Sequence, residues 1–435
     1  MQFYNRTKEI EELNRIRELA FTEHSRMTVI IGRRRIGKTS LIMRATAQTP
    51  TAYLFVGRKD EAAICGEFTD TIAKALNVFI PEGIHRFQVL FQYLMDLAVR
   101  QPFTLVIDEF QEFLNINPSV YHDMQHLWDQ YKDRSRMHLI LCGQDSKEPL
   151  FGRADNIIKL SAFDLETIKK IVKDHRPQYS NDELLALYAF TGGIPKYVEM
   201  LCDNLNRSSD GLSIPGMIDF MVRDNSPFIE EGKYLLIEEF GKNYGVYFSI
   251  LDAVAGGRNT QPEIAATLGD KSIGGQIKRL IEDYNILVRR RPILAKEGTQ
   301  AVRYEIADNF LQFWFNYFDR YRSMIEIKNF TGLCSIIKDD YTTYSGRILE
   351  RYFRQQLAES QNYRDIGSWW EPKGDQYEID IVALGMEKDH ALAIEVKRQR
   401  EKYKPALLAA KIGRLKEKVL PGYEIEGRCL SLEDM

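Results

Sequence analysis

The stretch "VIIGRRRIGKTSLI", Val29 to Ile42, decides how the first third of the chain is read. A β-branched run leads into Gly32-Arg33-Arg34-Arg35-Ile36-Gly37-Lys38-Thr39, which fits G-x-x-x-x-G-K-[ST] without a gap. Upstream, "MTVIIG" predicts a buried strand. Downstream, "KTSLIMRATAQ" predicts a helix whose N-terminus faces the loop. The two glycines let backbone N–H groups turn inward around phosphate oxygens. Lys38 would then reach the outer phosphates, Thr39 would help hold Mg²⁺, and Ser40 follows in the first helical turn. A basic turn between a strand and a helix is the alternative.

A second segment bears on that choice. "FTLVIDEFQEFL", Phe103 to Leu114, is an apolar strand that ends in Asp108-Glu109. Acids at the end of a buried strand are costly unless something uses them. Asp108 would hold Mg²⁺ through water, and Glu109 would polarise an attacking water. The alternative is a strand that simply leaves the core at Asp108.

The whole chain sets the outer bounds. With 435 residues it is long enough for about two to four domains. Hydrophobic residues make up 44% and charged residues 28%, a globular rather than disordered balance. The net charge of −3 gives no global field for nucleic acid, so any such face must be local. No apolar run is long enough to span a membrane, and the polar N-terminus lacks a signal-peptide core. Cys65, Cys142, Cys202, Cys334 and Cys429 are scattered, which suggests a reducing cytoplasm without disulfides or structural zinc.

Together the two motifs resemble AAA+ ATPases, and more closely the STAND-like archaeal-type ATPases; the resemblance runs over essentially the whole chain. It implies an α/β P-loop core over residues 1–162, a helical lid over 163–238, a winged helix-turn-helix over 239–308 and a restriction-endonuclease-like α/β domain over 309–435. It also implies ATP as ligand. "FYNRTKEIEEL" is similar to the family's opening near the adenine, with Arg6 and Glu9 in the matching places. "HLILCGQD", His138 to Asp145, falls where the sensor strand belongs. The family usually has Ser or Thr there; this chain has Cys142 and Gln144, which makes Gln144 the candidate γ-phosphate contact. In "EPLFGRADNIIKLSAF", Arg153 is a candidate arginine finger, with a surface ion pair as the alternative. "TGGIPKYVEML" resembles the Gly-x-Pro lid motif, which places Gly193, Pro195 and Lys196 near the nucleotide. A proline at the start of a helix also needs no functional reason.

From about Phe240 to Asp308 the pattern predicts three helices and a two-stranded wing. Lys278 and Arg279 lie on the third helix, and Arg289-Arg290-Arg291 begin the wing. These side chains suit DNA phosphates; a domain that serves only as a packing module is the alternative. "DNFLQFWFNYFDRYR" follows, with Phe310, Phe313, Trp314, Tyr317 and Tyr321 at helical spacing, a pattern typical of a packing face.

The last part holds the other chemistry. Glu350 lies on the predicted helix "YSGRILERYFRQQL". Glu378 and Asp380 lie in the strand "YEIDIVALG", and Glu395 and Lys397 in "ALAIEVKRQ". Alternation puts Glu378 with Asp380 on one face, and Glu395 with Lys397 on one face. The set resembles the PD-(D/E)XK nuclease core, without the usual proline of its first motif. That resemblance implies Asp380, Glu395 and Glu350 around Mg²⁺ or Mn²⁺, with Lys397 orienting water or phosphate. A polar sheet edge with ordinary salt bridges is the alternative.

Two functional readings follow. One is an ATP-binding and ATP-hydrolysing switch coupled to a nuclease-like domain that acts on nucleic acid, DNA rather than RNA. The other is an ATP-dependent regulator or scaffold whose C-terminal domain binds without cutting. A protein trigger or a homo-oligomer is compatible with either, and no membrane partner is expected.

Overall fold

The structure, a computed structural model, describes residues 3–143, 152–205, 211–241, 244–371 and 377–435. The chain divides into two compact units. One comprises residues 2–162 with 194–196; the other comprises 163–193 with 197–435.

The first unit is built on β1 (Arg26–Ile31), β2 (Thr51–Phe55), β3 (Phe103–Asp108), β4 (Met137–Gly143) and β5 (Asn156–Lys159). These form a parallel sheet in the order β2-β3-β4-β1-β5. Around it lie α1 (Thr7–Thr22), α2 (Lys38–Thr46), α3 (Glu61–Leu76), α4 (Phe87–Arg100), α5 (Phe113–Ile116) and α6 (Ser119–Tyr131). Every residue of β3 and β4 is buried, as expected for parallel strands covered on both faces. The two-residue alternation sorts the side chains. Val29, Ile31, Leu105, Ile107, Leu139 and Leu141 join an aromatic core with Phe87, Phe91, Phe103 and Trp128. Ile30, Val106, Ile140 and Cys142 point the other way, against Leu13, Leu41 and Ile42. Because all strands run in parallel, β1, β3 and β4 end along one edge of the sheet.

The second unit begins with α7 (Leu165–His175), α8 (Asn181–Thr191), α9 (Pro195–Leu205), α10 (Ile214–Val222) and α11 (Pro227–Phe240). Ser180 and Glu183 form a capping box at the start of α8. Gly192 closes it at φ 61°, and Gly193 follows at φ 70°. Next come α12 (Tyr244–Ala255), α13 (Gln261–Thr267) and α14 (Gly274–Glu282), then an antiparallel ribbon of β6 (Leu287–Arg290) and β7 (Arg303–Ile306). At the head of α13 the Glu263 carboxylate accepts the Thr260 N–H at 2.9 Å.

The aromatic stretch forms α15 (Asn309–Phe313) and runs on as a π-helical segment, Trp314–Asp319. Phe310, Phe313, Trp314 and Tyr317 are buried, so this face is used for packing. Helices α16 (Arg322–Glu326) and α17 (Phe330–Glu359) lead to a mixed sheet of β8 (Tyr363–Trp370), β9 (Glu378–Gly385), β10 (His390–Val396) and β11 (Glu424–Leu430), with α18 (Pro405–Lys418) before β11. The order is β11-β10-β9-β8; β10 and β11 run parallel and the other pairs antiparallel. No described helix is long and apolar enough to cross a membrane.

Candidate functional site

The loop after β1 has the geometry that its glycines and lysine predict. Gly37 takes φ 92° and precedes the first residue of α2, a conformation that L side chains rarely adopt. The first backbone bond into α2 runs from Leu41 N–H to the Gly37 carbonyl at 3.0 Å. The N–H groups of Lys38, Thr39 and Ser40 therefore have no partner within the helix and lie at the positive end of its dipole. Lys38 folds back over the loop, and its Nζ donates to the carbonyls of Gly32 at 2.6 Å and Arg33 at 3.2 Å. Burial pulls the Lys38 ammonium below its ordinary pKa, opposed by the charges of Glu109 and Asp108. Ile36 anchors the loop in the core.

The sheet edge brings Asp108 to this loop. The Thr39 hydroxyl donates to Asp108 Oδ2 at 3.3 Å. A hydroxyl and a carboxylate placed side by side are oxygen ligands of the kind Mg²⁺ takes, so these two residues fit such an ion. Glu109 takes φ 54°, just past the strand end. Its Oε2 lies 3.5 Å from Arg34 Nη2, and it also accepts from Gln111. Arg35 is at φ 69°, and its carbonyl accepts from the Lys196 N–H at 3.4 Å. Pro195 lies beside Gly37, where an added Cβ would stand 4.0 Å from the proline Cβ. Pro195 and Lys196 thus stand against the phosphate loop.

Further residues behave as follows. Arg6 pairs with Glu9 at 3.3 Å and donates to the Ser161 carbonyl. Cys142 is buried on β4, and burial, with Asp108 next, pushes its thiol pKa well up. Gln144 lies outside the described residues. Arg153 holds Asp129 through both carboxylate oxygens, with Nε 3.1 Å from each. One contact escaped the sequence reading: Tyr53 on β2 donates its hydroxyl to Asp108 Oδ2. Only the pairing of β2 with β3, Phe55 opposite Asp108, puts Tyr53 within reach.

The C-terminal acids are brought together by β9 and β10. Their register sets Ile394 opposite Ile381, so one step further takes Glu395 to Asp380. Asp380 Oδ2 accepts the Val396 N–H at 2.7 Å and lies 4.0 Å from Lys397 Nζ. Lys397 falls just past β10 rather than within it, though its N–H still bonds the Leu430 carbonyl at 3.0 Å. Its Nζ sits 2.9 Å from Glu395 Oε1. Lys411 on α18 occupies the other oxygen of Glu395 at 2.8 Å. No local motif marks Lys411; α18 follows β10 and packs back on the sheet. Burial would raise the Glu395 carboxyl, but its bonds from Lys411 and Lys397 hold it below the usual carboxylate range. Asp380 is pushed up, by burial first and by the Glu395 charge second. Lys397 stays cationic: burial works against its charge, but Glu395 and Asp380 raise its pKa above the ordinary value.

Glu350, on α17, acts electrostatically on Asp380 and Lys397. It lines a cavity with Arg347, Arg351, Arg354 and Glu378. Burial pushes its carboxyl pKa up, with Asp380 the nearest like charge in effect. Among the described residues, no three acidic, His or Cys groups converge on one point. The donor set thus fits a Mg²⁺ ion only in the two-carboxylate manner, with Asp380 and Glu395. On α14 and the ribbon, Lys278 is exposed and 3.8 Å from Glu282, while Arg290 pairs with Glu305 at 3.1 Å.

Known proteins agree with this geometry in part. Residues 3–201 match the family described as an ATPase domain predominantly from Archaea. Residues 314–407 match a family described as archaeal and bacterial proteins of unknown function. An uncharacterized protein of Methanocaldococcus jannaschii is 28% identical over 409 residues, which is 89% of this chain and 86% of that protein. A Walker-type ATPase of Pyrococcus abyssi is similar in structure, with a TM-score of 0.52 and 19% identity over 72% of this chain and 96% of that one. That likeness bears on the fold alone. The Cdc6p protein of Pyrobaculum aerophilum is a weaker likeness, with a TM-score of 0.38 and 14% identity over 73% of this chain and 94% of that one, and it carries no argument. Over residues 3–201 the family match and the loop geometry agree: this part of the chain is similar to that ATPase domain and carries a phosphate-loop arrangement, which supports ATPase-type P-loop NTPase activity.

Proposed function

We propose that the chain is an ATP-driven switch that governs a metal-dependent, nuclease-type site acting on nucleic acid, DNA rather than RNA. One observation carries the second half of this reading: Asp380 and Glu395 face each other across β9 and β10, with Lys397 2.9 Å from one and 4.0 Å from the other. In this reading Thr39 and Asp108 hold the Mg²⁺ that accompanies ATP, while Asp380 and Glu395, with Glu350 behind them, serve Mg²⁺ or Mn²⁺. Such an ion supplies Lewis-acid polarisation and a more acidic bound water. The protein's own groups do the rest. Lys397 steadies phosphate charge, Glu109 orients water at the nucleotide, and Lys38 binds the outer phosphates. Arg6, Glu9, Gln144 and Arg153 belong to the same reading as adenine-side, sensor and finger residues. The ribbon β6–β7 with α12 to α14 is its winged helix, 163–238 its lid and 309–435 its nuclease-like part. A nucleotide reverses a two-state equilibrium only if it binds one state more tightly, by about 5.5 kcal/mol for a full reversal.

The test is Mg²⁺- or Mn²⁺-dependent cleavage of single- and double-stranded DNA and RNA, with and without ATP. Wild type should cut, while Asp380→Ala and Glu395→Ala should not. If wild type cuts nothing in any nucleotide state, the nuclease half of the reading fails. A regulator or scaffold then takes its place, and one observation favours that reading: both oxygens of Glu395 are already held by lysines.

A further inference from the structure

Three cavities in the second unit, of about 260, 340 and 370 Å³, all have Arg354 in their walls. The first and second share Arg351 and Glu305; the first and third share Arg290. Their walls come from two places far apart in sequence. The ribbon supplies Arg289, Arg290 and Arg291, and α17 supplies Arg347, Arg351 and Arg354. The helical spacing of 347, 351 and 354 puts those three on one face of α17.

The charges in this groove do not balance. Glu305 answers Arg290 at 3.1 Å and Arg351 only at 3.9 Å. Glu350 and Asp365 also line the walls, and Glu378 is already taken by Arg303 at 2.8 Å. Four carboxylates thus stand against the six arginines, and one of the four is committed elsewhere. Arg354 donates through Nη2 to Ser368 Oγ at 2.8 Å, while its Nε is buried with no partner among the described residues. Guanidinium groups crowded together repel one another, and an anion placed among them removes that cost.

We propose that this groove is a binding site for the phosphodiester backbone of a nucleic-acid strand, with Arg290, Arg347, Arg351 and Arg354 holding its phosphates. Three cavities in series suit a run of phosphates rather than one small ion. Planar guanidinium forks suit phosphate oxygens. Arg354 also reaches the Asp380 carbonyl at 3.4 Å, so a strand held here passes beside the acid pair. Only what happens to the bound strand depends on the nuclease-type reading; the binding itself does not.

The experiment measures fluorescence anisotropy of labelled single- and double-stranded oligonucleotides with the full chain in EDTA, across a salt series. Arg290→Gln and Arg351→Gln should each weaken binding about 10-fold and lower the salt slope by about 1. Arg347→Gln, on the exposed helix surface, should do the same without touching the buried network, so a folding defect cannot imitate the result. Unchanged affinity and salt slope in all three variants would overturn the proposal. So would a wild type that binds neither the single- nor the double-stranded oligonucleotide. Because EDTA suppresses cleavage, arginine-dependent binding without any later cutting removes the nuclease-type reading alone.

Discussion

Replacing Gly32 with alanine tests the phosphate loop without removing any charge or donor. An added Cβ at Gly32 would lie 2.9 Å from the Leu160 carbonyl oxygen, 3.0 Å from Ile36 Cγ2 and 3.2 Å from Leu160 Cβ. The first contact is with backbone, and Leu160 is tied to the Ile31 carbonyl at 2.7 Å, so the loop must yield rather than the strand. Relief needs a shift of about 0.5 Å, at a cost of about 1–3 kcal/mol for overpacking a tight site. The moving carbonyl is the one that Lys38 Nζ holds at 2.6 Å, so the shift passes directly to the lysine. Gly37→Ala perturbs the same loop by backbone strain instead of by a clash. Its φ of 92° imposes about 1–2 kcal/mol of strain, but its nearest neighbour would stand 4.0 Å away. The assay is thermal unfolding with and without Mg-ATP. At a ligand concentration 100 times Kd, wild type gains about 2.7 kcal/mol; a 100-fold weaker loop would gain about 0.4 kcal/mol. Gly32→Ala should therefore lose most of its ATP-induced rise in Tm and melt below Gly37→Ala. A Gly32→Ala protein with a wild-type ATP response would refute this account of the loop.

Two other perturbations test the packing beneath the sites. His138 is fully buried on β4, with its Nε2 2.9 Å from the Thr28 hydroxyl, and burial lowers its pKa from 6.5 to about 3. The folded chain thus keeps His138 neutral while the unfolded chain protonates it below pH 6.5. Stability is complete above that pH and falls by about 1.4 kcal/mol per pH unit as pH drops toward 3. His138→Gln should flatten this part of the Tm-against-pH curve between pH 7 and 5, and an unchanged slope would contradict it. In the second unit, a Cβ at Gly232 would overlap the buried Trp314 indole, which is fixed by its Nε1–H bond to the Ile229 carbonyl at 2.7 Å. Gly232→Ala should cost at least about 3 kcal/mol and lower Tm by several degrees; a melt within about 1 °C of wild type would show that the indole can move.

Local chemistry made much of the first unit legible. The run before Gly32 has to be a buried strand, and Gly37-Lys38-Thr39 has to open a helix, because glycine spacing, strand burial and the helix terminus all act within a few residues. The same holds for β3 and its terminal Asp108, and for the alternation that placed Asp380 and Glu395 on their strands. Contacts fixed by strand order and helix packing were not legible. Tyr53 reaches Asp108 only because β2 pairs with β3. Lys411 reaches Glu395 only because α18 returns across the sheet. Glu350, which the nuclease-core resemblance groups with the other acids, also lines a cavity walled by Arg347, Arg351 and Arg354, a neighbourhood that only the packing of α17 decides. Arg290 and Arg351, 61 positions apart in the chain, share Glu305 because the ribbon pairs Arg290 with Arg303, two residues before Glu305 on the same strand, and α17 passes alongside. The sequence by itself determined the phosphate loop, the acid-ended strands and the buried aromatic face, since each depends on neighbours in the chain. Tertiary structure alone decided which charges meet, because that depends on strand order and on helices that cross between segments far apart in sequence.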